Sequence, residues 1–336
     1  MLLTRRQLLI GAATVIASAT GCTRLAPTAA EAPTTPGPEA PPEEGPRPLL
    51  RVALLSDPHT VAADSNLAGA INGKFSKALA DYKPLRPDLW IVNGDVTDGG
   101  TTAEYAAFKK LLKGTVDEKH LLVNTGNHDF YDQSATDEEE VRRFLAAFGT
   151  PAPYSNRLAG GLHFVMLATE QWKSAPGSGD WAWLSAEQLR WFEQVLAEHR
   201  DRFTVVALHQ ALQDTVYWSH GGAGNRFTGC GQIAELNAIM KKNPQIRLWL
   251  SGHTHMGAEI KGNVVSKNGV TYVGLGSTFY QFVPGDGPDA VYSGFRKDLS
   301  SSQSRMLDVW EDKVVLRARD HVGKAWMDGL DVTLGR

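Results

Sequence analysis

Five largely apolar runs in this chain of 336 residues each end in a cluster of Asp, Asn or His, and no other feature constrains the fold as much. Leu50–Leu55 runs into Ser56-Asp57-Pro58-His59, Leu89–Val92 into Gly94-Asp95-Val96-Thr97-Asp98, and Leu121–Asn124 into Gly126-Asn127-His128-Asp129. Phe203–Leu208 ends at His209, and Ile246–Leu250 at Ser251-Gly252-His253-Thr254-His255. Short apolar runs bounded by turn residues read as buried strands, and strand ends are where open α/β sheets place their chemistry. Five of the ten histidines fall at these ends together with Asp57, Asp95 and Asn127, a placement hard to credit to chance. His120, His163, His199, His220 and His321 have no such context and default to structural or surface roles.

Taken singly, each cluster has a plain alternative. Gly94-Asp95 suits a strand-ending turn, Asp-x-His pairs are frequent in turns, and His253 with His255 can equally cap or hydrogen-bond a core. Together they have the composition of a metal site. Asp57 and His59 are two residues apart on extended chain and so share a face. A carboxylate such as Asp95 has one oxygen for each of two cations and could bridge metals about 3.5–4 Å apart. Oxygen and nitrogen donors without thiolate suit manganese, iron or zinc, and the residue types do not choose among them.

Between the runs the spacing turns helical. Ile71, Phe75, Ala78, Leu79 and Tyr82 form one apolar stripe, and Ile233, Leu236, Ile239 and Met240 another. Thr101/Glu104, Thr136/Glu139 and Ser185/Gln188 have the spacing of capping boxes, and Gly149 that of a helix stop. Three strand-then-helix units in succession, with a further strand at Leu162–Leu167, predict parallel strands wound into an α/β sheet. Beyond His255 the pattern changes to hairpins. Asn268-Gly269 is a type I′ signal before Val270–Leu275, and Glu311-Asp312-Lys313 joins Leu307–Trp310 to Val314–Leu316.

The amino terminus stands apart from that pattern. Arg5-Arg6, an apolar stretch from Leu8 to Ala19, and Ala19-Thr20-Gly21-Cys22 have the layout of an export signal over residues 1–22. The paired arginines resemble a twin-arginine signal, and the last four residues a lipobox in which Ala19 replaces the usual leucine. The stretch is shorter than the roughly 20 residues that span a bilayer, so export with lipidation at Cys22 is expected, anchoring the chain on the outer face of a bacterial cell membrane or in the periplasm. Residues 23–48 hold eight of the 17 prolines and no aromatic residue, an extended, disordered tether. The folded domain is then 49–336. With Cys22 lipidated, Cys230 has no intramolecular partner and no disulfide framework is expected. A net charge of −3 offers no electrostatic reason for nucleic acid binding.

The five clusters, in order from Asp57 to His255, resemble the calcineurin-like metallophosphoesterases, whose pattern is Asp-x-His, Gly-Asp-x-x-Asp, Gly-Asn-His-Asp, a lone His, then Gly-His-x-His. The resemblance implies two facing mixed β-sheets flanked by helices. It also implies two metal ions, one held by Asp57, His59, Asp95 and His255 and the other by Asp95, Asn127, His209 and His253. A hydroxide between the metals would attack phosphorus. His128 would face the substrate, oriented by Asp98, and the family's tyrosine-bearing purple acid phosphatases are disfavoured because Asp98 stands at that position.

Gly94 to Gly100 followed by Glu104-Tyr105 is similar to the class III cyclic nucleotide phosphodiesterase and glycerophosphodiesterase branch, which implies a small phosphodiester substrate. A phosphomonoester substrate is the alternative within the family. Export fits scavenging of phosphate from nucleotides, glycerophosphodiesters or lipid head groups better than destruction of an intracellular messenger. Trp172, Trp181, Trp183, Tyr217, Trp218, His220 and Arg226 flank His209, where Trp218, His220 and Arg226 are candidates for binding substrate and ordinary packing is the alternative for the aromatic rings. A tethered lipoprotein that binds metal without turnover is the rival from another class, but its signature, loss of His128 or of a bridging ligand, is missing.

Overall fold

Strand β1 (Leu50–Leu55) is buried along its whole length, and its alternate side chains enter two different cores. Val52 and Leu54 face one layer while Ala53 and Leu55 face another, as the two-residue period of a strand requires. A strand covered on both faces lies between layers, and the rest of the chain supplies them. The computed structural model describes residues 46–175, 182–219, 232–285, 290–292 and 294–336. The expected signal with Cys22, nearly all of the tether, Trp181, His220, Arg226 and Cys230 lie outside the described residues. Among the described residues no helix is long and apolar enough to cross a membrane.

After β1 the chain forms α1 (Ala68–Tyr82), β2 (Leu89–Asn93), α2 (Thr102–Leu112), β3 (Leu121–Asn124) and α3 (Asp137–Phe148). Next come β4 (Ser155–Ala159), β5 (Leu162–Met166), α4 (Ala186–Glu198), β6 (Thr204–Ala207), α5 (Ile233–Lys242) and β7 (Ile246–Ser251). The last third is all strand. It holds β8 (Val264–Lys267), β9 (Val270–Gly274), β10 (Gln281–Pro284), β11 (Ala290–Tyr292) and β12 (Phe295–Asp298). It closes with β13 (Gln303–Val309), β14 (Lys313–Asp320), β15 (Ala325–Trp326) and β16 (Val332–Gly335).

One sheet runs β15-β14-β13-β1-β2-β3, with β16 also on β14, and the other runs β4-β5-β6-β7-β9-β8. Both are mixed. β1, β2 and β3 are parallel and β13 joins β1 antiparallel, whereas β5, β6, β7 and β9 are parallel between antiparallel edges. Leu54, Ile91 and Leu307 of the first sheet share a core with Phe164, Leu248 and Val273 of the second, so the sheets face one another. Helices α1 and α2 and Phe144 of α3 cover the outer face of the first, and α4 and α5 that of the second. Three strand-then-helix units and late hairpins are what the sequence pattern predicts. A third sheet, β10-β12-β11, is not foreshadowed, because strands of three or four residues are too short to show a period.

The capping boxes at Thr101/Glu104 and Thr136/Glu139 form with both bonds. At Ser185 only half of the expected box exists. Its side chain accepts from Gln188 N, but Gln188 turns away to bond Ala168 and Glu170, and the Glu170 carboxylate accepts from Ser185 N instead. Asn268 (φ +54°) and Gly269 (φ +80°) make the expected type I′ turn between β8 and β9.

The late hairpin is tied to α1 through a buried charge. Asp81 accepts from Arg319 Nε and Nη2 at 2.9 and 2.7 Å and faces His321 Nδ1 at 2.9 Å. His321 Nε2 continues to Ser304 Oγ at 2.8 Å and on to Tyr82. Burial opposes ionisation of Asp81, but the bonds from Arg319 and His321 hold its carboxyl below the ordinary range. Asp81→Asn removes the anion and leaves Arg319 buried without its partner, so a loss of about 3–5 kcal/mol is expected in urea unfolding. The wild-type contribution is complete above the unfolded carboxylate pKa near 4 and fades as pH falls below it, so the gap between wild type and variant should narrow on acidification. A gap of under about 1 kcal/mol at neutral pH, in the range of an exposed pair, would refute this role.

Candidate metal centre

The parallel strands of the two sheets end side by side, and buried amides join them there. Asn124 Nδ2 donates to Asn93 Oδ1 at 2.9 Å and to Leu167 O at 2.6 Å, and Asn93 Nδ2 reaches Leu208 O at 3.4 Å. The loops after β1, β2, β3, β6 and β7 therefore converge on one spot. The convergence leaves no space for side chains at two glycines. A Cβ on Gly126 would lie 2.3 Å from Asp95 Oδ1, and one on Gly252 would lie 1.9 Å from Ser56 Oγ and 2.5 Å from Asp57 Oδ2.

Among the described residues, ligand-type atoms cluster in three groups within 4.8 Å: Asp57, His59, Asp95 and His255; Asp95, His209 and His253; and His59, Asp98 and His128. His255 Nε2 lies 2.9 Å from Asp57 Oδ1 and 3.1 Å from His59 Nε2. Asp95 Oδ2 is 3.2 Å from His209 Nε2 and 3.6 Å from His59 Nε2. Asn127 Oδ1 is 2.9 Å from His253 Nδ1. Atoms bound about 2.0–2.2 Å from one ion lie roughly 3–3.5 Å from one another, so these spacings fit the edges of coordination polyhedra. His209 donates from Nδ1 to Asn93 O at 2.8 Å, which leaves Nε2 turned inward, buried and without a hydrogen bond. An imidazole fixed in that way fits a metal.

Asp95 Oδ1 accepts from His128 N at 2.8 Å, and Oδ2 faces histidines of both groups. Backbone geometry shows how tightly these side chains are placed. Asp57, His59, Asp95, His253 and His255 all have left-handed φ, between +45° and +65°. Such conformations cost non-glycine residues about 1–3 kcal/mol each and collect at functional sites.

The electrostatics match a cation site. Burial would raise the Asp95 carboxyl, yet His209 and His128 hold it well below the ordinary range. Asp57 is likewise lowered against its burial by His255 and His209. In return His209 and His128, which burial alone would depress, are raised to about 9, chiefly by Asp95. His255 goes the other way, pushed down to about 4 by burial. A cation held here would compete with the proton for His209 Nε2.

Three neighbours of the ligand set have roles that spacing could not show. Asp129 is buried, pushed up to about 6 by burial and by Asp95, and accepts from Val96 N, Thr97 N, Thr97 Oγ1, Gly126 N and Tyr105 OH at 2.8–3.3 Å. It locks the loop after β2 to the loop after β3. Phe279 and Tyr280 wall the site, with Tyr280 4.2 Å from His255 between ring centroids and Lys297 Nζ 3.8 Å from the Tyr280 ring. Only the last residue of the Gly-Asn-His-Asp cluster gave any signal, as an acid beside ligands. Of the substrate candidates, Trp218 is half-buried among Phe282 and Phe295, and Phe282 lies between it and His255. His220 and Arg226 are outside the described residues.

Asp98 serves two imidazoles. His128 Nδ1 is 3.0 Å from Asp98 O and 3.4 Å from Oδ1, the pairing that the family resemblance implies, but His59 Nδ1 also lies 3.2 Å from Oδ1. Burial opposes its ionisation, yet the two histidines hold the carboxyl well below the ordinary range. A carboxylate on Nδ1 keeps the Nε2 lone pair of His59 turned inward. Asp98→Asn should therefore weaken metal affinity about 10–100-fold while stoichiometry at saturation stays unchanged. Complete loss of one ion at saturating metal would instead make Asp98 a ligand.

The model of the calcineurin-like phosphoesterase family matches residues 50–257. A 3′,5′-cyclic-nucleotide phosphodiesterase of Nostoc sp. strain PCC 7120 is 27% identical over 239 residues, 69% of this chain and 80% of that protein. A glycerophosphodiester phosphodiesterase of Enterobacter lignolyticus is 23% identical over 210 residues, 61% of this chain and 71% of that protein. Among solved structures, a dimetal phosphatase from Danio rerio superposes with a TM-score of 0.58 over 86% of this chain and 99% of that one, at 13% identity, a likeness of fold. With the strand-end ligand groups in place, the match places the chain in the calcineurin-like phosphoesterase family, as a metal-dependent phosphoric ester hydrolase.

Proposed function

We propose that the chain hydrolyses a small phosphodiester at two metal ions, manganese, iron or zinc, outside the cytoplasm. Asp57, His59, Asp95 and His255 would hold one ion, and Asp95, Asn127, His209 and His253 the other. The observation that carries this reading is the shared carboxylate: Asp95 belongs to both ligand groups, and its Oδ2 faces an imidazole of each. Ions bound there supply Lewis-acid charge for the phosphoryl oxygens and lower the pKa of water.

The chain's own residues do the rest. His128 is fixed through Nδ1 to Asp98, which leaves Nε2 for a substrate oxygen. Its Nδ1 contacts with Asp98 favour the charged imidazole, which could give the Nε2 proton to a departing alkoxide. The phosphodiesterase relatives support a diester over a monoester, and the arginine pair with Cys22 supports export and lipid anchoring. A substrate met outside the cytoplasm, a nucleotide or glycerol phosphodiester, fits both.

Asp95 and His128 should fail differently. Asp95→Ala removes the group between the cations and should lose metal together with activity, with poor rescue by excess manganese. His128→Ala should keep its metal while turnover drops about 10²–10⁴-fold, most on alkyl phosphodiesters and least on nitrophenyl esters, whose leaving groups need no proton. Metal loss on His128→Ala, or equal rate losses across leaving groups, would contradict the proton-donor role. A monoester preference in the wild type would overturn the diester reading. Cys22→Ser should move the protein from the membrane fraction to the soluble one; unchanged partitioning would remove the lipid anchor from the proposal.

A further inference from the structure

Tyr131 touches both halves of the site at once. Its hydroxyl accepts a hydrogen bond from Asn127 Nδ2 at 3.0 Å, and its ring packs on His128 with centroids 4.0 Å apart. An asparagine amide has an oxygen end that ligates a cation and an NH₂ end of nearly equal size that repels one, so an outside partner must choose the end that faces the ions. Here the tyrosine hydroxyl takes the NH₂ end, and Oδ1 is turned toward His253 Nδ1. The ring of Trp172 backs Tyr131 at 4.7 Å. That segment is itself pinned to α3: Trp172 N, Lys173 N and Ser174 N donate to Asp137 at 3.3, 3.1 and 2.9 Å, and Lys173 Nζ meets Glu140 at 2.5 Å.

On the ligand set proposed above, we infer that Tyr131 is a positioning residue that orients Asn127 toward the metal and braces His128 toward the substrate, with Trp172 as its backstop. One side chain thus couples metal occupancy to the geometry of the proton donor. The two contacts can be separated by substitution, since Tyr131→Phe removes the hydroxyl and keeps the ring, whereas Tyr131→Leu removes both.

Calorimetric titration with Mn²⁺ alone reads the first contact. Tyr131→Phe should bind the weaker ion about 10–100-fold less tightly, the usual effect of losing a partner that orients a ligand, while its melting temperature before metal addition matches wild type. Its turnover should climb as Mn²⁺ is raised. The turnover of Tyr131→Leu should stay depressed at every Mn²⁺ concentration, in kcat and not KM, because His128 has lost its support. Asn127→Ala separates the two levels of inference. If Asn127→Ala loses an ion and Tyr131→Phe binds both within twofold of wild type, the positioning role is wrong and the ligand set stands. If Asn127→Ala binds both ions as wild type does, the ligand set itself is wrong.

Discussion

Two carboxylates, Asp57 and Asp95, are buried within reach of the same three histidines, His59, His209 and His255, and the arrangement of the strand ends follows from the need to compensate them. A buried anion is tolerated only with a counter-charge and hydrogen bonds on its remaining lone pairs. His253 N donates to both Asp57 oxygens, at 3.0 and 3.2 Å, and His128 N to Asp95 Oδ1, so the backbone satisfies what it can. What remains, Asp95 Oδ2 and the inward ring nitrogens, fits a cation's coordination shell. The left-handed turns at Asp57, His59, Asp95, His253 and His255 are the cost of aiming short side chains at that point, and the apolar layer between the sheets holds them there.

This division also explains how much of the molecule is legible in its sequence. Buried parallel strands are continuous apolar runs, so β1, β2, β3, β6 and β7 declare themselves, and the polar cluster after each is conspicuous by contrast. Helix caps are legible where they are local, as at Thr101 and Thr136, and fail at Ser185 because the competing partners of Gln188, Ala168 and Glu170, belong to the segment after β5. The same limit applies at the site. That one oxygen of Asp95 faces both ligand groups, and that Asp98 holds His59 as well as His128, depends on how separate loops meet in space. No spacing within a loop encodes that meeting.

The surroundings of the ligands divide into two kinds. Asp129 is structural in its bonding: five donors converge on it, and its effect on chemistry passes through the loop that carries Asp95. The aromatic walls face the ligands directly, Tyr131 on the His128 side and Tyr280, beneath Lys297, on the His255 side. Lys74 of α1 fastens the second wall by donating to Phe279 O at 2.6 Å and to Leu299 O, which ties the small third sheet to the body of the domain. Tyr131 and Tyr280 lie on segments outside the two large sheets, the usual location of specificity on a fixed scaffold.

On the proposed ligand set, one carboxylate oxygen, Asp95 Oδ2, would stand between two ions. Anomalous diffraction at the manganese edge, from crystals of the full folded domain grown with Mn²⁺, tests it directly. Two peaks about 3.5–4 Å apart with Asp95 Oδ2 between them are expected. A single peak, or two peaks of which only one touches Asp95, would contradict the claim.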